Sequence, residues 1–314
     1  MRFNPKARLD TSQVQYRRGG RGGGIGGGPG FPVGGGGNGL RVGGGLGGLV
    51  VLLVVVALMY LGGGTTPIPG GPAGAGGPAA AGDEDLLRCR SGADADRDPD
   101  CARVAVVNSI QGFWSDALPR QANRSYSPAD TVVFSGRVET RCGAASSAVG
   151  PFYCPVDRQV YLDTTFFEDM LERRLGGSGG DFAEAYVLAH EYGHHVQNLL
   201  GVMGRVRTQQ GAGSDAVRLE LQADCLAGMW SRYATGVEDS RGEVLISALT
   251  RQDVAEALDA ARAVGDDRIQ RRTGGRVDPD AWTHGSAEQR MRWFTTGREL
   301  GTLQACDTFA AGRL

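Results

Sequence analysis

The sequence predicts an α+β fold class: one mainly helical domain with a small β-sheet, preceded by a disordered glycine-rich tail and one transmembrane helix. Of the 52 glycines, 28 fall in residues 1–82 and only 24 in residues 83–314. A glycine-rich segment with few apolar side chains buries too little surface to offset its chain entropy. Residues 83–314 have the ordinary apolar and charged content of one sizeable core. No G-X-Y period occurs, which excludes collagen.

Residues 1–42 are predicted to form a Gly/Arg-rich, disordered cytoplasmic tail. Residues 1–82 contain seven basic residues and one acidic residue, Asp10, so their net charge is +6. Because the whole chain has a net charge of −2, residues 83–314 have a net charge of −8. An acidic globular part argues against nucleic acid as its partner. The seven basic residues are Arg2, Lys6, Arg8, Arg17, Arg18, Arg21 and Arg41.

Residues 43–64 are predicted to form a single transmembrane helix. The run from Leu49 to Leu61 is apolar throughout, and its uncharged flanks extend it to about 20 residues, the length that crosses a bilayer. A cleaved signal peptide and a buried core helix are the alternatives, but about 45 residues precede the run, more than a secretory signal has. The positive-inside rule then leaves the N-terminus in the cytoplasm. A Gly/Pro/Ala linker, 65–82, leads to an extracytoplasmic domain, 83–314.

Six cysteines follow the apolar run, which is consistent with a compartment that permits disulfides. They allow fifteen connectivities. Spacing favours two short loops and leaves the last two cysteines to pair with each other. No C-x-x-C pair is present, which argues against a cysteine-ligated structural zinc. The resulting pairs are Cys89–Cys101, Cys142–Cys154 and Cys225–Cys306.

The segment A-H-E-Y-G-H-H carries three of the four histidines in the chain. A helix is predicted over Asp181–Leu200, opened by a capping box of Asp181 and Glu184 and ended by a glycine. On this helix His190 and His194 are i and i+4, so both imidazoles lie on one face at a spacing that suits two ligands of a Zn²⁺ ion.

Glu191 follows the first of these histidines and is predicted to be the general base on a zinc-bound water. The alternative is a helix whose histidines are satisfied inside a core. Two imidazoles and a carboxylate on a buried face are costly without a metal, which favours the zinc site. His195 points about 100° away from His194 and is not expected to be a ligand.

A third ligand is needed, and H-x-x-G-x-x-H, which would continue the motif to a third histidine, is absent. A second helix is predicted over Asp215–Tyr233, with Glu220 and Asp224 at i and i+4 on one side. We assign Glu220 as the third zinc ligand and Asp224 as the acceptor that orients a ligand imidazole through its other ring nitrogen. A solvated acidic face, or Asp224 itself as the ligand, are the alternatives.

The fourth histidine, His284, lies in W-T-H-G-S at a predicted helix start. It is a candidate donor to the oxyanion of a tetrahedral intermediate, or else a helix cap. Strands are predicted at Thr131–Val138 and Gln159–Leu162, and a strand edge beside the metal helix would suit an extended peptide. Further helices are predicted at Arg251–Val264 and Ser286–Thr296.

Several segments together resemble the bacterial neutral zinc metallopeptidases, the family of the YpfJ-type membrane proteins. They include the N-terminal M-R-F-N-P-K-A-R-L-D, H-E-Y-G-H-H-V-Q-N, E-L-Q-A-D-C, G-D-D-R-I-Q, T-H-G-S-A-E-Q-R and C-D-T-F. The H-E-x-x-H and E-x-x-A-D pair also resembles the gluzincin arrangement. The resemblance implies a zincin-like metallopeptidase fold, one Zn²⁺ and a protein or peptide substrate.

The leading hypothesis is therefore a membrane-anchored zinc metallopeptidase that hydrolyses peptide bonds outside the cytoplasm. The first alternative is a catalytically inactive, zinc-stabilised binding or scaffold module of the cell envelope. The second is an interaction protein that acts through its Arg/Gly tail. Glu191, which zinc binding does not require, favours the enzyme.

Overall fold

A computed structural model describes residues 1–18, 83–147 and 149–314. The predicted membrane span, the linker and most of the predicted tail lie outside these residues. Within the described ranges, no helix combines the length and the apolar character needed to cross a bilayer.

Helices make up most of the described chain. They are α1 (Gly92–Ala95), α2 (Pro99–Ala122), α3 (Asp181–Leu199), α4 (Asp215–Tyr233), α5 (Arg251–Ala263), α6 (Asp266–Gly274) and α7 (Ala287–Leu300), with a π-helical segment at Phe166–Arg174. Short 3-10 turns occur at Thr11–Gln13, Asp83–Arg88, Val202–Arg205, Ala234–Gly236 and Pro279–Ala281.

The described strands are β1 (Arg2–Phe3), β2 (Val14–Arg18), β3 (Thr131–Ser135), β4 (Arg137–Thr140), β5 (Gly143–Ser146), β6 (Phe152–Cys154), β7 (Gln159–Asp163) and β8 (Ile246–Ala248). Four of them form a small mixed sheet with the order β2-β3-β7-β6. Strands β2, β3 and β7 are parallel, whereas the edge strand β6 is antiparallel to β7. Two separate antiparallel pairs join β1 to β8 and β4 to β5.

The sheet separates two hydrophobic cores. Successive side chains of a strand point to opposite faces, and in β3 Val133 enters the main core with the helices while Val132 and Phe134 enter a smaller core. That smaller core lies beneath the β4–β5 hairpin. The main core contains Trp114, Trp230, Phe182 and Tyr186, all fully buried.

The predicted helix over Asp181–Leu200 is confirmed, but its predicted capping box is wrong. Helix α3 begins at Asp181 after Gly180, and no side chain caps that start. The Glu184 carboxylate instead forms an ion pair with Arg103 of α2, because a long-range charged partner displaces the local cap. The helix ends as predicted, with Gly201 in the left-handed region at φ 72°.

The helix predicted over Asp215–Tyr233 is confirmed with the same limits as α4, and the other predicted elements are confirmed with changed limits. The expected strand over Thr131–Val138 divides into β3 and β4 because Gly136 adopts φ 84°, which ends the extended run. Gln159–Leu162 and Arg251–Val264 correspond to β7 and α5. The last helix starts after the Ser286 cap and continues to Leu300. The long helix α2 carries no functional motif and was not predicted.

The expectation of disorder in the whole tail is wrong for residues 1–18. Strand β2 pairs with β3, and β1 pairs with β8. Five apolar side chains of this segment are buried: Phe3, Ala7, Leu9, Val14 and Tyr16. The α-amino group of Met1 donates hydrogen bonds to Asp181 and Asp253. We call residues 1–18 the N-terminal segment.

Three disulfides have the predicted connectivity. Cys89 pairs with Cys101 and Cys142 pairs with Cys154, each across 12 residues. The third bridge, Cys225–Cys306, spans 81 residues and ties α4 to the C-terminal segment.

Candidate metal centre

Helices α3 and α4 bring the candidate metal ligands together. The two helices approach closely where Gly193 faces Ala223: a Cβ at Gly193 would lie 3.0 Å from the Ala223 Cα. Because glycine leaves this space, the face of α3 that carries both histidines lies directly against α4. Glu220 and Asp224 on α4 then face His190 on α3.

The donor atoms of His190, His194 and Glu220 all lie within 4.8 Å of one another. The Nε2 atom of His190 is 3.2 Å from Glu220 Oε2, and that of His194 is 3.5 Å from Glu220 Oε1. Two ligands of a tetrahedral zinc at 2.0–2.2 Å are about 3.3 Å apart. Two imidazoles and one carboxylate at these separations fit a zinc ion with three protein ligands.

Asp224 lies beneath the metal ligands rather than among them. It is fully buried, and its Oδ1 is 2.8 Å from His190 Nδ1, the ring nitrogen that points away from Glu220. The Tyr186 hydroxyl donates to the same oxygen at 2.6 Å. Arg290 of α7 donates to both carboxylate oxygens at 2.9 Å. The role predicted for Asp224, to orient a ligand imidazole through its other ring nitrogen, requires a contact of this kind.

The second histidine is oriented by an amide instead of a carboxylate. His194 Nδ1 is 2.8 Å from Gln197 Oε1. The Gln197 amide donates to Leu219 O at 2.7 Å and to Gln222 Oε1 at 3.1 Å, both on α4. These two hydrogen bonds orient the Gln197 side chain so that its Oε1 points at the His194 imidazole. This favours a proton on His194 Nδ1 and leaves Nε2 to face the metal position.

Charges around the site shift the pKa values of the ligands. Burial lowers the pKa of His190, but the charge and hydrogen bond of Asp224, with the hydrogen bond of Glu220, raise it to about 10. Burial raises the pKa of Asp224, yet Arg290 and His190 lower it to about 2. Without a metal these shifts favour the protonated form of His190 between two carboxylates, and a zinc ion bound there would take the place of its proton.

Glu191 is buried beside the ligands, with 7 % of its surface exposed. Burial raises the pKa of its carboxyl, and the charges of His190 and His194 oppose that rise. A carboxylate in such surroundings is a stronger base than one in water, as a general base requires.

His284 lies on the loop before α7 and close enough to Glu220 for the two charges to interact. Its Nδ1 is 2.8 Å from the Thr283 hydroxyl and 3.5 Å from Asp266 Oδ1. Asp266 also accepts three backbone N–H groups, those of residues 283–285. Burial lowers the pKa of His284, but Asp266 and Glu220 raise it. The loop is thereby built around Asp266, and Ser286 rather than His284 caps the helix.

His195 is not part of the centre. Its Nδ1 is 3.0 Å from the Tyr153 hydroxyl of β6 and its Nε2 is 2.6 Å from Ser127 O. It fastens α3 to the sheet.

Four residues of the site were not identified from the sequence: Tyr186, Gln197, Asp266 and Arg290. Two of them stand in segments that carried the family resemblance, Asp266 in G-D-D-R-I-Q and Arg290 at the end of T-H-G-S-A-E-Q-R. Their place in these segments is the signal by which the sequence could have identified them. Tyr186 and Gln197 lie one turn before and one turn after the motif histidines.

An H-E-x-x-H helix that faces a glutamate of a second helix offers two imidazoles and one carboxylate, a ligand set found in catalytic zinc sites. The family model described as "Putative neutral zinc metallopeptidase" matches residues 1–309. The chain belongs to this family.

Two relatives are similar to this chain over most of its length. "Uncharacterized protein Rv2575" of Mycobacterium tuberculosis is 53% identical over 232 residues, 73% of this chain and 77% of that protein. "Uncharacterized protein YpfJ" of Escherichia coli is 36% identical over 315 residues, 97% of this chain and 98% of that protein. No solved structure matches.

Proposed function

We propose that this chain is a zinc-dependent peptidase that cleaves extended segments of proteins or peptides. The observation that carries the proposal is the convergence of His190, His194 and Glu220 within 4.8 Å, with Glu191 buried beside them. When bound, zinc polarises the scissile carbonyl and lowers the pKa of the attacking water.

The residues of the chain supply the proton transfers. Glu191 accepts a proton from the attacking water and passes it to the leaving amine. His284, held through Nδ1 by Asp266 and Thr283, directs its other ring nitrogen at the developing oxyanion. Asp224 and Gln197 keep the ligand imidazoles in the tautomer that binds zinc.

The edge strand β6 is the proposed binding site for the substrate backbone. It forms the rim of the sheet, and the Tyr153 hydroxyl joins it to α3 through His195 and Asn198. An extended peptide added along a sheet edge is held by main-chain hydrogen bonds, which requires an unfolded substrate segment. The proposed location is extracytoplasmic, supported by the three disulfides.

The test uses the full chain, its zinc content by mass spectrometry, and cleavage of one substrate protein in native and in reduced, unfolded form. Wild type is expected to hold one zinc and to cleave the unfolded form. Glu191→Gln should lose about 10²–10⁴-fold in rate while keeping its zinc. His190→Ala should lose the zinc, and His284→Ala should lower the rate with zinc retained.

Glu288→Gln makes the same change as Glu191→Gln at an exposed position of α7 and is the matched control. Cleavage that persists in Glu191→Gln would refute the assigned mechanism. A folded, zinc-loaded wild type that cleaves neither form would favour the non-catalytic binding module.

A further inference from the structure

The N-terminal segment forms one edge of the sheet beside the metal helix. Strand β2 pairs with β3 in parallel over five residues, from Val14 opposite Thr131 to Arg18 opposite Ser135. Val14 and Tyr16 are buried in the main core. The edge of β3 is therefore covered by this segment.

Polar contacts bind the same segment to α2. The amide of Asn108, itself buried, donates to Asp10 O at 2.9 Å and accepts from Asp10 N at 2.8 Å. The Tyr16 hydroxyl donates to Asp100 Oδ1 at 2.5 Å. Without the N-terminal segment the buried Asn108 amide would lose both partners, which is costly for a polar group in a core.

The segment also fits the backbone of the domain closely. Gly92 donates its N–H to Ala7 O at 3.0 Å, and Leu9 donates to Arg90 O at 3.1 Å. A Cβ at Gly92 would lie 2.0 Å from the carbonyl oxygen of Asn4. Glycine is thus required at position 92 by residues some 90 positions earlier in the chain.

From this packing we infer that the N-terminal segment and the domain at 83–314 occupy the same side of the membrane. Groups in van der Waals and hydrogen-bond contact share one compartment. The conclusion is the same if the segment packs on a second copy of the chain. Because the domain carries three disulfides, that side is the oxidising one.

This proposed topology differs from the one predicted from the basic residues. The positive-inside rule applies to residues in short loops that stay beside the membrane during insertion. Arg2, Lys6, Arg8, Arg17 and Arg18 belong to the folded N-terminal segment instead. Five of the seven charges that suggested a cytoplasmic N-terminus therefore lie in a segment that packs on the domain.

The test labels single cysteines in the full chain with a membrane-impermeant maleimide, in spheroplasts and in inverted membrane vesicles. All six native cysteines are paired in disulfides, so the reagent reports the introduced thiol. Lys6→Cys places it on the exposed surface of the N-terminal segment, and Ser125→Cys on an exposed loop of the domain. Whichever preparation labels Ser125→Cys is expected to label Lys6→Cys as well.

Labelling of the two variants from opposite sides would overturn the inference. Val14→Cys is the matched buried position in the same segment, and it should react only after unfolding. Rapid reaction of Val14→Cys in the native protein would show that the segment is not packed, which would also overturn it. None of these outcomes depends on zinc or on peptidase activity.

Discussion

A single carboxylate, Asp224, connects the metal centre to the rest of the molecule. Its carboxylate is hydrogen-bonded to the His190 imidazole on one side. On the other side it accepts hydrogen bonds from the Tyr186 hydroxyl and, at both oxygens, from the Arg290 guanidinium. Burying a carboxylate is unfavourable unless it is paired and hydrogen-bonded. Arg290 thus keeps Asp224 charged, and a charged Asp224 holds His190 in one orientation.

Replacing Arg290 by Met is expected to weaken zinc binding by about 10–100-fold, the usual cost of losing a partner behind a metal ligand. Arg290→Lys should recover part of this loss because it keeps the charge but not the fork of donors. Competition with a chelating dye on the folded protein measures the affinity. The exposed Arg271 provides Arg271→Met as a control, and equal affinities in all three variants would contradict this role.

Zinc binding is also expected to release a proton from the site. The pKa of His190 is raised to about 10, so at pH 8 the metal-free imidazole is protonated and must lose that proton to become a ligand. Zinc affinity should therefore rise with pH, about tenfold per unit up to pH 10 for one proton. Calorimetry at pH 8 in buffers of different ionisation enthalpy measures the release; a binding enthalpy that is the same in every buffer would refute it.

At the scale of elements, α4 and α7 pack through two glycines. A Cβ at Gly228 would lie 2.0 Å from Phe294 O, and one at Gly297 would lie 1.8 Å from Cys225 O. The backbones of the two helices therefore touch. This close contact brings Arg290 of α7 to Asp224 of α4.

An alanine at Gly297 is expected to destabilise the protein by about 1–3 kcal/mol, because the added methyl forces the helices apart. In an open helix the same change stabilises by up to about 1 kcal/mol. Gly274→Ala, at the end of α6 with nothing within 4 Å of the added Cβ, is the matched control. Denaturant unfolding gives both values, and a Gly297→Ala protein as stable as the control variant would contradict the packing.

At the scale of the whole molecule, the composition averaged over residues 1–82 predicted disorder for the N-terminal segment, which is instead folded. Residues 1–18 contain no glycine, and their apolar side chains at Phe3, Leu9, Val14 and Tyr16 enter the main core. The average hid a short segment that cannot fold alone. It is ordered because it packs against the edge of β3 and against α2, whose residues lie much further along the chain.

Local sequence patterns were enough to predict the parts of the site that lie on single helices. His190 and His194 share one face of their helix because they are four residues apart, and the same holds for Glu220 and Asp224. The disulfide partners also followed from spacing. The contact of Arg290 with Asp224 and the place of residues 1–18 at the edge of the sheet are visible in the folded chain alone. Contacts between such distant positions depend on the path of the whole chain through the core, which no local period encodes.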